Sequence, residues 1–341
     1  MFSRWLRIIR IIARITTSMA IALLVPCARA DDFSGFGPAS VRNYQPIQLI
    51  FLNLPVERAR TLAAGTLEAH LETVESNTIA TVSNPKVQGQ LKLETNRTVI
   101  GAKFGVWPGL EVGGDIPFIS HYGGMLDTVI DPIEHALGTF NPERDLYPDN
   151  SFGAFLVRQG NTTVFQGKRQ VFELGDIWFS AKQEVWGRAN WPLVSLRAAI
   201  KAPTGRASAV FGSGYPDFGL GFAAEHQPLS WLILYADLAG IFPVGPITPA
   251  RLTLNPALNQ AVAAEARVLW PWFSLLLQQE LYTSPLHGNG TRILDGTVVE
   301  LTWGANARVG PTTFQLAMVD NISPVATAAD FSVLLRVGYE L

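Results

Sequence analysis

The sequence predicts an all-β protein, a transmembrane antiparallel up-and-down β-barrel of about twelve strands with one long extracellular loop that contains a short helix. Three observations predict it. In the last stretch, Phe331, Val333, Leu335, Val337, Tyr339 and Leu341 fall on one face of an extended strand, and Ser332, Arg336, Gly338 and Glu340 fall on the other. From Thr66 onward the chain repeats segments of about ten residues that alternate in polarity and are separated by turn chemistry. Six of the nine tryptophans (107, 186, 191, 231, 270 and 272) gather at the tight turns, where a membrane interface keeps an indole half dry and its N–H wet. A soluble sandwich would explain the final strand alone but gives no reason to collect tryptophans at one end.

Residues 1–30 read as a secretory signal peptide. Arg4, Arg7, Arg10 and Arg14 precede an apolar core from Ile15 to Val25, and Ala28-Arg29-Ala30 offers an A-x-A cleavage site. That core is shorter than the ~20 residues of a spanning helix. Pro26 stands where a lipoprotein signal needs a small residue beside Cys27. Export points to the outer membrane of a Gram-negative cell. The chain carries 26 Lys and Arg against 28 Asp and Glu. Five of the arginines belong to the leader, which leaves 21 against 28, a net charge of −7 that argues against a nucleic-acid partner. Removing the leader also removes the only Cys, so no disulfide is expected. His, Met and Cys are too sparse for a metal cluster, and no cofactor is expected. With 48% hydrophobic and 16% charged residues, the chain needs either a large core or a lipid face.

Residues 31–65 form an irregular segment expected at the periplasmic mouth or as a lumen plug, because Asp31 to Pro46 is rich in Gly and Pro and Pro55 stops the apolar run from Ile47 to Leu54. The barrel then occupies 66–341. Leu67, Ala69 and Leu71 oppose Glu68, His70 and Glu72 in the first strand, and a loop is expected at Ser76–Pro85. The second strand, Val87–Val106, is long, and its apolar phase changes from Leu91 and Leu93 to Ile100 and Phe104, which predicts a bulge near Asn96–Thr98. Further strands are expected at about 110–120, 171–185, 191–201, 217–227, 231–242, 258–269, 272–283, 297–308, 312–320 and 330–341. Tight connections such as Trp107-Pro108-Gly109, Trp270-Pro271 and Gly310-Pro311 alternate with longer polar ones, which places the tight ones on the periplasmic side.

Residues 121–170 form the long loop. Met125, Val129, Ile130, Ile133 and Leu137 recur at near-helical spacing, with Pro132 expected to bend the helix. The loop either folds into the barrel as a constriction or caps it outside. Arg144, Asp145 and Asp149 are candidate ligand contacts within it.

Charges on strands must face the lumen, since a charge on the lipid face at mid-bilayer costs ~2 to 4 kcal/mol. The constriction candidates are Glu68, His70, Glu72, Glu111, Asp115, Lys182, Arg197, Arg267, Glu300 and Arg336, with Asp176, Glu184, Lys201, Asp237 and Glu265 also facing inward. Acids outnumber bases in this set, which predicts a preference for cations or polar neutral solutes. A narrow or gated channel or uptake pore for small polar solutes is the leading reading. The alternatives are a lipid-modifying enzyme, and a closed barrel acting as receptor or structural protein. The enzyme would need a nucleophile beside a base, but Ser120 and His121 are adjacent strand residues on opposite faces. No catalytic residue is assigned.

GPASVRNYQP (37–46), LNLPVERA, LEVGGDIPF (110–118), MLDTVIDPIEHALG with RDLYPDN in the long loop, and LGDIWFSAKQ (174–183) resemble the Gram-negative outer-membrane family catalogued as domain of unknown function 3187. The resemblance covers nearly the whole mature chain and singles out Arg42 and Asn43 of the N-terminal motif. It implies an outer-membrane barrel without an assigned activity. The closing strand also resembles a barrel insertion signal, ending in Leu341 where those signals mostly end in Phe. The partners implied are outer-membrane lipid and the barrel-assembly machinery; oligomeric state stays open.

Overall fold

In the computed structural model, the described residues are 34–83, 87–137, 143–158, 162–187, 191–246, 252, 254–286, 291, 293–323 and 327–341. The leader reading therefore lies outside the described residues. Among the described residues fifteen strands form, β1 Leu67–Ser83, β2 Val87–Trp107, β3 Leu110–Tyr122, β4 Gly153–Arg158, β5 Thr162–Gln166, β6 Gln170–Leu174, β7 Ile177–Trp186, β8 Leu193–Ala202, β9 Asp217–Leu229, β10 Leu232–Pro243, β11 Ala257–Arg267, β12 Phe273–Tyr282, β13 Val298–Val309, β14 Thr312–Asn321 and β15 Phe331–Glu340. Twelve of them close an antiparallel barrel. β1 pairs with β15, with Glu68 opposite Glu340 and Asn77 opposite Phe331. The ring continues through β2–β3, β3–β7 and each sequential neighbour to β15. Closure leaves the ring without an edge, the condition for crossing lipid with strands.

The outward face is apolar, as the alternation demands. Leu71, Ile100, Phe222, Leu277, Leu316 and Leu335 are exposed there, and all six tryptophans of the tight turns are exposed as a girdle at one end. The turns themselves follow from their residues, with Gly109 (φ 85°) and Gly310 (φ 59°) in the left-handed region that a side chain resists.

Four local expectations are corrected. Residues 76–83 are strand, not loop, and β1 and β2 pair without interruption from Leu67/Phe104 to Ser83/Gln88. No bulge interrupts that pairing at Asn96–Thr98. The polarity switch has another cause, a change in what each face meets. In the lower half of β2 the inward odd positions carry Arg97 and Lys103 and the outward even ones Ile100 and Phe104; above, inward Leu91 and Leu93 are buried in an apolar cluster and outward Lys92 and Glu94 are covered by the long loop. The strand expected at 171–185 is two, β6 and β7, because the chain breaks at Gly175-Asp176 opposite Pro117, which has no N–H for the ladder. The long loop also holds a hairpin, β4–β5, that pairs with the upper part of β2.

The loop's helix, α1 (Asp127–Leu137), forms with Pro132 inside it. It caps the barrel from outside. Asp127 at its start is buried and receives Lys92 Nζ, Arg144 Nη1 at 3.0 Å, Asn77 Nδ2 at 3.0 Å and the Asn150 N–H at 2.7 Å. Glu94 accepts the N–H groups of Met125 and Leu126. Ile130 is buried, while Met125 and Val129 are exposed; the side chains of Ile133 and Leu137 lie outside the described part.

Candidate functional site: the plugged lumen

Residues 34–62 run inside the barrel as a hairpin of irregular chain. Its Gly- and Pro-rich sequence builds no ladder, so its backbone polar groups must find side chains on the wall. The first limb, 34–46, starts near the tight-turn end, where Glu265 accepts the N–H groups of Phe36 and Gly37 and Asn306 donates to the Gly37 carbonyl. Higher up, Ala39 exchanges two bonds of 3.0 Å with Gln278, and the Tyr282 hydroxyl donates to the Val41 carbonyl. Ala39, Val41 and Tyr44 pack with Tyr235, Ala263, Leu276, Ala317 and Leu334 in one buried cluster.

The tip, with one 3-10 turn at Gln48–Ile50, sits at the long-loop end. Ile47, Ile50 and Phe51 pack there against Leu91, Leu156, Phe165, Leu286 and Ile293. Arg42 ties the tip to the first limb by donating to the carbonyls of Gln48, Leu49 and Phe51, the last at 2.8 Å. Asn43 donates to the Thr327 carbonyl at 2.9 Å and accepts the Gln45 N–H.

The second limb, 52–62, returns along a charged wall. Asp217 accepts the Leu52 N–H, Glu184 the Thr61 N–H and Glu111 the Leu62 N–H, at 2.8 to 2.9 Å. Glu57 is its hub, with Oε1 at 2.7 Å from Arg197 Nε and Oε2 at 2.7 and 3.3 Å from the ammonium groups of Lys103 and Lys182. Arg58 and Arg60 both reach Glu225 at 3.4 Å. The limb leaves the lumen where Gly65 and Thr66 bond to Gly105, whose missing Cβ would lie 2.1 Å from the Ala63 carbonyl oxygen.

A cavity of about 270 Å³ remains at the tight-turn end between the two limbs and the wall. Most of the constriction candidates meet at it. Glu68 pairs with Arg336 at 3.2 Å, and His70 Nε2 lies 3.1 Å from Asp115. Glu111 lies between Lys182 (3.2 Å) and Lys103 (3.6 Å). Glu72 stands above the cavity with Arg97 at 3.2 Å and Arg336 at 3.8 Å, and Arg197 also binds Asp237. Two of the constriction candidates lie elsewhere, as do the inward-facing Asp176 and Lys201, which pair at 2.9 Å. Arg267 donates to the Ser230 carbonyl at a tight turn, and Glu300 is buried opposite Glu280 behind the first limb. In the long loop, Arg144 is buried between Asp127 and Asp330, Asp149 is exposed, and the Asp145 side chain lies outside the described part. Arg144 thus braces the cap.

The acidic excess of the wall has a different meaning from the one expected. Glu111, Glu184, Asp217, Glu225 and Glu265 each accept at least one backbone N–H of the plug. They answer the unpaired backbone of 34–62. Around the cavity itself, seven bases (Arg58, Arg60, Lys103, Lys182, Arg197, Arg308 and Arg336) face five acids (Glu57, Glu68, Glu111, Asp115 and Glu340). Strand alternation did not flag Glu57, which lies off the strands, though the charged run Glu57-Arg58-Ala59-Arg60 inside an apolar segment signals it. Lys103 was legible from its inward phase between outward Ile100 and Phe104, but strand alternation alone did not single it out. The Ser120 and His121 pair makes no dyad: Ser120 Oγ accepts the Phe172 N–H at 2.9 Å, and the buried His121 ring stacks on Phe211.

The COG4313 outer-membrane channel from Pseudomonas putida F1 superimposes with a TM-score of 0.56 at 12% identity, over 83% of this chain and 98% of that one. This likeness carries the architecture, that of an outer-membrane barrel. A KdgM porin aligns with a TM-score of 0.40 at 5% identity over 80% and 98% of the two chains. The CymD monoaromatic hydrocarbon channel aligns at 0.38 and 10% over 91% and 98%. No protein of curated function matches the chain. A family model matches residues 14–341, so the chain belongs to the family described as protein of unknown function, DUF3187.

Proposed function

We propose that the protein is a gated outer-membrane channel for small polar solutes and that its N-terminal hairpin is the gate. The observation that carries this reading is the asymmetry of the plug's attachment. The first limb is embedded in an apolar cluster along most of its length, whereas the second buries Leu52, Leu54 and Val56 only in its upper part and is held from Glu57 to Leu62 by ion pairs and by carboxylates on backbone N–H groups. Polar contacts exchange readily with water and solute, so a wall of this kind releases a segment more easily than a dry core does. The cavity beside the second limb marks where a solute path meets the tight-turn end. Twelve strands enclose more than the eight whose interior side chains fill, and fewer than the sixteen of an open porin, which fits a lumen shared between a plug and a narrow path.

Proteoliposomes holding the folded protein test this directly. Entry of small polar solutes measured by swelling, slow for the native chain and faster after Glu57→Gln, supports the channel. Impermeable liposomes with both would turn the search to surface ligands and a closed barrel.

A further inference from the structure

The cations around Glu57 form a site that the chain itself fills. Arg197 and Lys182 are buried in the wall, Lys103 is partly open to the cavity, and all three converge on one carboxylate at 2.7 to 3.3 Å. The wall alone sets these three cations against Glu111 and Asp237. Glu57, on the removable limb, is the third negative charge. When that limb leaves, the basin keeps a surplus positive charge in a poorly solvated place, which is costly unless another anion replaces it.

We infer that the Arg197–Lys103–Lys182 basin is a binding site for small anionic solutes of the carboxylate or phosphate class, and that Glu57 occupies it as a built-in competitor while the path is closed. This rests on the channel reading above and names its solute class. Glu57 presents two oxygens, one to the guanidinium and one shared by two ammonium groups, and a solute carboxylate or phosphate presents the same pair. The cavity of about 270 Å³ opens directly onto Glu57, Lys103, Lys182 and Arg197, so a solute can reach the basin before the limb has moved. Exchange of one anion for the other would remove the limb's strongest tether. Neutral solutes and cations gain nothing from that exchange.

Planar-bilayer recordings of the full chain, native and Glu57→Gln, would be made in chloride with added succinate, inorganic phosphate or glycerol. The native protein is expected to open several-fold more often as succinate or phosphate is raised, with saturation, and glycerol is expected to have no effect. Glu57→Gln is expected to open without added solute, with a reversal potential shifted toward anions. Lys182→Gln, which keeps Glu57 but removes one of its two ammonium partners, is expected to open several-fold more often than the native protein without added anion, and it covers the case in which Glu57→Gln does not fold. Response to succinate alone or to phosphate alone assigns the site to that group. Conducting channels that ignore both anions, or a cation preference in the Glu57→Gln variant, overturn the inference and leave the channel intact. Silence of every protein in every solution overturns both.

Discussion

Arg42 holds the tip of the plug by a single guanidinium nitrogen that serves three carbonyl groups. A hydrogen bond to a charged group contributes about 1.5 to 3 kcal/mol. Shared among three acceptors, one nitrogen supplies about one such bond, so Arg42→Ala is expected to lower the local stability of residues 47–52 by about 2 kcal/mol. Faster amide exchange there, with the barrel strands unchanged, is the readout. The sequence marked Arg42 and Asn43 through a motif; Arg42 works within the plug, whereas Asn43 ties it to the Thr327 carbonyl. Inward acids such as Glu111 and Glu265 were visible from strand alternation, but their partners were not. Glu265 binds Phe36 and Gly37 across more than two hundred residues of chain, and no local pattern carries that pairing.

Among the elements, the long loop illustrates what spacing can and cannot tell. Its apolar recurrence was enough to find α1, but inward and outward folding leave the same pattern. What decides is Asp127, buried among Lys92, Arg144, Asn77 and Asn150 on the outer face of β1 and β2. Burial works against ionisation of this carboxyl, but the Lys92 ammonium and the Asn150 N–H outweigh it and hold its pKa below the usual value. Its contribution is therefore complete above the ordinary aspartate pKa of about 3.9 and is lost as the pH falls through the lower folded value. Protease nicking of the loop around α1 is expected to stay slow at about pH 6 and to rise once the pH falls below the ordinary aspartate range; a rate unchanged by acid would remove Asp127 from this role. At the other end, Gly105→Ala places a methyl group against the Ala63 carbonyl. It is expected to displace residues 62–66 and raise the channel's resting conductance. The upward extension of β1 escaped the sequence because the plug tip reverses the polarity rule that lipid and water impose lower down, whereas β2 was legible over nearly its whole length.

At the scale of the whole molecule, the barrel was the most legible feature. Period-two alternation, tight turns and a one-sided set of tryptophans are repeated in nearly every strand, so errors at single boundaries leave the ring intact. Leu335 belongs to its outward belt and Arg336 beside it to the lumen. Leu335→Lys is expected to cost about 2 to 4 kcal/mol in reversible refolding into lipid. The interior was less legible, because a plug whose only regular element is one 3-10 turn among the described residues announces itself only as Gly- and Pro-rich sequence. Closure of the lumen by the N-terminal hairpin, and not by the long loop, is the central claim. The most direct test compares single-channel conductance of the native chain with two deletions, one of residues 34–62 and one of 125–137, each refolded and checked for a closed barrel. A large, steady conductance is predicted when the hairpin is removed, and native behaviour when the helix is removed. Enlarged conductance from the helix deletion alone would contradict the claim.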